Sequence, residues 1–179
     1  MNESLVPELP DFDDPLGVLR ACHERMLAHC EILRKLPAHI AANGVDDEAR
    51  SAVNRVVSYF STSAAHHHQD EEQDLFPLLR RHAEERGRAE VLAALDELAR
   101  EHRTMDEVYG RIRQRLADVA EARSARLDIE QVAHFAWIYR RHIMREEAAA
   151  FGFAAEALTD GERAGLGARM AQRRGVARR

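Results

Sequence analysis

In the stretch His66-His67-His68-Gln69-Asp70-Glu71-Glu72, imidazoles stand four positions ahead of carboxylates. On an α-helix that spacing is close to one turn, so a histidine and an acid lean toward the same point and can offer a metal two ligands. Three such pairs overlap: His66 with Asp70, His67 with Glu71, and His68 with Glu72. Helical phase selects among them. Val53, Val57, Phe60 and Ala64 form a three-four stripe of buried-type residues that runs on through His67 to Glu71. The inward pair is predicted to be His67 and Glu71. The same geometry recurs at His142 and Glu146, on a stripe of Val132, Phe135, Tyr139, His142, Glu146, Ala149 and Phe153.

Two further histidines fall in the middle of apolar stripes. His23 follows Leu16 and Leu19 and precedes Met26, Cys30 and Leu33; His102 lies among Leu95, Leu98, Met105, Tyr109, Ile112 and Leu116. A lone stripe histidine is ordinarily a hydrogen-bonded core residue, but four helices each placing one, with two glutamates, is a different composition. An unpaired carboxylate in a dry core is very costly, and one dication or a pair would neutralise this set. Imidazole and carboxylate without thiolate suit iron, manganese or zinc. Six candidate ligands exceed what one tetrahedral zinc needs, and two carboxylates from different helices can each bridge two ions, which points to a dinuclear iron centre. Ferritin-like di-iron bundles use Glu-x-x-His pairs, and no histidine here has a glutamate three residues before it. Asp106, one turn after His102, is an additional candidate. His66 and His68 flank the inward direction by about 100° and are expected beside the site or in solvent. His29, His39, His82 and His134 are expected at the surface.

The elements that must position these residues are all helical. Asp14-Pro15 reads as an N-cap and first helical residue, Pro37 is expected to bend or end the first helix, and Asn43-Gly44 closes it. Asp46 caps a second helix that is expected to kink at Pro77, whose ring would meet the Gln73 carbonyl. A third follows Gly87, and a fourth begins near Ser124 or Asp128. Gly152 marks a possible break, and Thr159 with Glu162 forms a capping box for a short terminal helix. The expectation is an all-α, antiparallel up-down four-helix bundle over 15–158, preceded by an extended lead-in over 1–14 and followed by a short helix and basic tail over 159–179.

Composition narrows the function classes. The 179 residues, 45% apolar and 32% charged, suit one globular domain and exclude a fibre or a disordered chain. A net charge of −5 argues against a dedicated nucleic-acid binder. The basic cluster Arg169, Arg173, Arg174, Arg178 and Arg179 is expected to be a solvated face that complements a helix C-terminus. Cys22 and Cys30, roughly 12 Å apart on a helix, are too distant to bridge and fit a reducing, cytoplasmic setting. No membrane-length apolar run or signal sequence is seen, so no membrane partner is expected.

The ligand set resembles the hemerythrin-like (HHE cation-binding) domain. The likeness covers about residues 15–158. It runs through His23; His67-His68-Gln69-Asp70-Glu71-Glu72 with Leu75-Phe76-Pro77; Glu101-His102; and His142-Ile143-Met144-Arg145-Glu146-Glu147. It implies a non-haem di-iron site with Glu71 and Glu146 as bridging carboxylates and His23, His67, His102 and His142 as terminal ligands. Oxygen-carrying members have a second histidine where this chain has Asp106, and an aspartate five residues after the last ligand histidine where this chain has Glu147. The resemblance is therefore to bacterial members associated with sensing or redox handling of O2, NO or peroxide. Two alternatives stand beside it: an enzyme turning over peroxide or NO, with Tyr109 or Tyr139 supplying a proton or electron, and an iron-responsive structural regulator. Phe60, Met105, Phe135 and Tyr139 would form an apolar lining. Any signal is expected to leave through an unidentified protein partner or a change of shape.

Overall fold

The computed structural model describes residues 11–176, and every element among them is helical. Most of the lead-in expected over 1–14, together with Arg178 and Arg179 of the basic tail, lies outside the described residues.

Four antiparallel rods form the bundle. The first is α1 (Pro15–Asn43); Asp14 accepts from the Gly17 amide at 3.0 Å, and Gly44, at φ 74°, closes it with its amide on the Ile40 carbonyl. Pro37 does not end this helix, contrary to one alternative read from the sequence: the chain stays helical to Asn43 with Pro37 buried. The second rod is composite: α2 (Asp47–Ser61), a break at Thr62, α3 (Ser63–Gln69), a π-helical turn π1 (Asp70–Leu75), and α4 (Phe76–Glu85). The departure expected at Pro77 is met here one turn earlier, as π1. The Phe76 amide bonds to the Glu71 carbonyl, five residues back, just before the proline that has no amide to offer.

The third rod is α5 (Ala89–Ala120), and the fourth is α6 (Ile129–Glu146) running into a second π turn, π2 (Glu147–Phe151), and α7 (Gly152–Ala157). Asp128 caps α6 through the Glu130 and Gln131 amides. The first rod packs on α2 and α6, and α5 packs on the same two. Short connections put sequential rods antiparallel, as bundle packing requires. Among the described residues no helix is long and apolar enough to cross a membrane. Cys22 and Cys30 are free and buried.

The buried apolar residues separate into two clusters. One holds Met26, Phe60, Ala64, Met105, Phe135, Tyr139 and Ile143. The other holds Leu19, Leu75, Phe76, Leu98, Ala150 and Phe151. On each rod the chain crosses from one to the other within about two to three turns, and the buried residues in between are polar apart from Cys22.

The last helix, α8 (Asp160–Arg173), begins at the expected Thr159–Glu162 capping box and buries Leu166 and Met170 in the second cluster. Arg173 and the adjoining Arg174 are largely sheltered, which corrects the expectation of a solvated face for those two, while Arg169 is exposed. All three pair with Asp70 and Asp74 of π1. A charge count reveals that cations are present but not what stands opposite them a hundred residues away. Where α8 meets the chain's beginning, a Cβ on Gly167 would overlap the Phe12 carbonyl. Gly167→Ala is therefore expected to destabilise the protein by about 1–3 kcal/mol, read as a lowered Tm in thermal denaturation; an unchanged Tm would show that this contact is soft.

Candidate metal centre

The polar layer between the two apolar clusters contains His23, His67, Glu71, His102, His142 and Glu146, each 2% exposed or less. All six sequence candidates thus meet in one plane of the bundle. Helical phase accounts for this: each is the in-stripe residue at the crossing from one apolar cluster to the other. In both His-xxx-Glu helices the backbone changes to π register at the carboxylate, π1 opening one residue before Glu71 and π2 one residue after Glu146.

His67 Nε2 lies 2.7 Å from Glu71 Oε1, and His23 Nε2 lies 4.0 Å from the same oxygen. The other oxygen, Oε2, is 3.4 Å from His102 Nε2. Glu146 Oε2 stands 3.1 Å from His23 Nε2 and 3.5 Å from His142 Nε2, and the Nε2 atoms of His102 and His142 are 3.1 Å apart. Glu71 therefore reaches imidazoles on three rods and Glu146 imidazoles on two. Donor atoms of His23, His67, Glu71 and Glu146 all fall within 4.8 Å of one another.

Three imidazoles are held from behind. His23 Nδ1 meets Glu147 at 2.9 Å, His102 Nδ1 meets Glu72 at 2.7 Å, and His142 Nδ1 meets Glu101 at 3.0 Å. A carboxylate can only accept, so Nδ1 carries the proton in each pair and Nε2 turns inward, the arrangement that orients metal-binding histidines. Glu72 and Glu147 directly follow the inward carboxylates and so lie about 100° out of phase with them. Position n+1 after an inward residue was the available signal, since it lies at the edge of the buried arc. Arg145 in turn pairs with Glu101.

His68 takes the first of its two expected places, beside the site and not in solvent. It is 8% exposed, its ring stacks on His102 at 4.1 Å and 14°, and its Nε2 is buried without a partner. A rod with neighbours on two sides buries an arc wider than one stripe, which is why a residue about 100° off phase is still inside. Asp106 is exposed and approaches only His68, at 3.9 Å; it does not enter the layer. His66, His29, His39 and His82 are partly exposed and His134 is exposed.

The electrostatics follow from burial. Burial, with the charge of Glu146 beside it, pushes the Glu71 carboxyl well above its usual range. Burial works the same way on Glu146, but hydrogen bonds from His142 and His23 override it and hold that carboxyl well below. Burial and a neighbouring imidazole, His23 for His67 and His102 for His68, keep both of these rings neutral. Burial also opposes the charge on His142, yet its bonds to Glu101 and Glu146 raise it to about 9.

Among the described residues, six buried side-chain atoms lack any hydrogen-bond partner: both nitrogens of His67, Nε2 of His68, both oxygens of Glu71 and Oε1 of Glu146. Each unmet group costs about 1–3 kcal/mol, so six in one layer rival the roughly 5–15 kcal/mol net stability of a domain. A neutral His67 ring keeps its proton on one nitrogen, so five of the six can present a lone pair at once, and these are of the kind that hold a hard or borderline cation. The residues present fit a bound metal.

Comparison with known proteins agrees with this chemistry. The family model described as the hemerythrin HHE cation binding domain matches residues 14–154. A Haemophilus influenzae (strain Rd) protein described as uncharacterized is 28% identical over 136 residues, which is 76% of each chain.

In protein stripped of metal by a chelator, His142 is expected to titrate near pH 9. Its folded value lies above the ordinary 6.5, so its stabilising contribution is complete below about 6.5 and is lost as pH rises through about 9. Thermal denaturation of chelator-treated protein across this window should show Tm falling, with Glu101→Gln flattening the fall; identical slopes in the two proteins would refute the assignment to His142.

Proposed function

The chain belongs to the hemerythrin HHE cation-binding domain family, and on that premise we propose that it is a non-haem di-iron protein binding O2, NO or peroxide for sensing, storage or redox defence. The observation that carries the reading is the group of six unpartnered buried donor atoms, gathered where four rods converge. His23, His67, His102 and His142 would hold the iron pair, with Glu71, which approaches His67, His23 and His102, as a carboxylate shared by both ions. Glu146, within reach of His23 and His142, would be the second bridge. The unpartnered Nε2 of His68, beside His102, makes it a further ligand for the ion that His102 holds.

A carboxylate-bridged iron pair supplies one-electron redox steps at each ion and an open position for a small ligand. The protein's part is to shape and dry that position. Phe60, Met105, Phe135 and Tyr139 are buried on one side, and Phe76 and Phe151 on the other, so bulk water is kept from both faces of the layer. A cleft of about 200 Å³ lined by Glu97, Glu101, Thr104, Met105, Ile138 and Arg141 lies against the carboxylate that holds His142. It suits a small solute.

A second reading, turnover of peroxide or NO, is favoured by Tyr139. Burial pushes its phenol well above the usual range, so it retains its proton, and its ring lies 6.4 Å from that of His68. A phenol held neutral this strongly is a poor acid, so its role next to the layer would be to give its proton together with an electron, as a hydrogen atom.

Anaerobic reconstitution followed by metal analysis is expected to give about two iron ions per chain, as in other di-iron bundles. His67→Ala should lose most of that iron while His134→Ala keeps it. Fewer than one iron per chain, or equal retention in the two variants, would refute the centre; tighter uptake of manganese or zinc would refute only its identity. Optical titration with O2, NO and peroxide then separates binding from turnover: a stable adduct supports the first, and steady consumption of peroxide or NO the second.

A further inference from the structure

Asp70 precedes Glu71 and is equally buried, at 0% exposure, yet it faces away from the polar layer toward α8. Both of its oxygens are taken by guanidinium groups: Arg173 Nη1 donates to Oδ1, and Arg174 Nη2 donates to Oδ2 at 2.7 Å. Arg173 reaches on with Nη2 to Asp74 Oδ2 at 2.7 Å, and Arg169 donates to the other oxygen of Asp74. A single planar fork thus spans two carboxylates within π1, with Glu71 between them. The side chains of Arg173 and Arg174 are 16% and 19% exposed, so these are sheltered charge pairs of strong, directional type rather than surface pairs. The helix that supplies them lies beyond the 14–154 segment that the family model matches.

A π turn is an uncommon register that persists where its surroundings hold it. Inside the layer Glu71 makes no well-directed hydrogen bond; its nearest group, His67 Nε2 at 2.7 Å, belongs to the same rod. The restraint comes from the opposite side. We propose that Arg173 and Arg174 are positioning residues for the metal centre, clamping Asp70 and Asp74 so that π1 aims Glu71 into the layer. The inference rests on the metal reading above.

The test uses full-length protein loaded anaerobically with Fe(II), following iron release to a ferrous chelator beside the Tm of the metal-free form. In Asp70→Asn/Arg173→Gln/Arg174→Gln the Asp70 charge leaves with both of its partners and Asp74 keeps Arg169, so the metal-free Tm is expected to stay near that of the wild type. Iron release should nevertheless be about ten-fold faster or more, the usual scale for losing a group that orients a ligand. Release at the wild-type rate overturns the proposal, because the arginines would then serve only to neutralise Asp70. Arg173→Lys keeps the charge but cannot span both carboxylates, and provides a milder variant. It should release iron at an intermediate rate, and a wild-type rate would count against the fork. Wild-type protein that takes up no iron at all overturns the metal reading itself, and this inference with it.

Discussion

Two glutamates and four histidines share one dry layer, and the rest of the fold answers to the cost of putting them there. Carboxylates without partners in an apolar interior are too expensive to keep for packing alone. The bundle therefore has to bring their lone pairs to common points, and this sets the relative height and rotation of all four rods. The division of the apolar core into two clusters is the same constraint seen from outside. Each rod is free to be hydrophobic above and below the layer but not within it.

The layer is also held from its periphery. Glu72, Glu101 and Glu147, on three different rods, each grip the outer nitrogen of an imidazole whose inner nitrogen faces the centre. Partly exposed acids thereby decide the tautomer and tilt of buried rings. His67 has no such support, since its Nδ1 is unpartnered, so the two ends of the site are chemically unequal. The two π turns contribute in the backbone what these acids contribute in side chains: an irregular register at the residue whose direction matters.

Much of this was legible before the fold was known, because the helix has a single period. His67 with Glu71 and His142 with Glu146 share a face through their spacing alone, and the apolar residues around them say which face is buried. The caps at Asp14, Asp46, Asp128 and Thr159 were readable for a similar reason, being local hydrogen bonds between near neighbours. Pro37 misled in part because buried packing on both sides of α1 can outweigh the loss of one backbone bond. His68 was left between two places, and Asp70 was hidden, for another reason: the buried arc of a rod depends on how many neighbours it has. At π1 the second rod is covered by α5 on one flank and by α8 on another.

The amino-acid sequence by itself determined the all-helical class, the membership of the six in-phase residues and the chemistry they can support, since these depend on residue type and on a period of 3.6. Tertiary structure alone decided which carboxylate oxygen faces which imidazole, that His68 lies inside and Asp106 outside, and that the basic C-terminal helix grips the turn carrying Glu71. Those facts concern pairs separated by tens to a hundred residues, and no local pattern encodes a partner that only packing brings near.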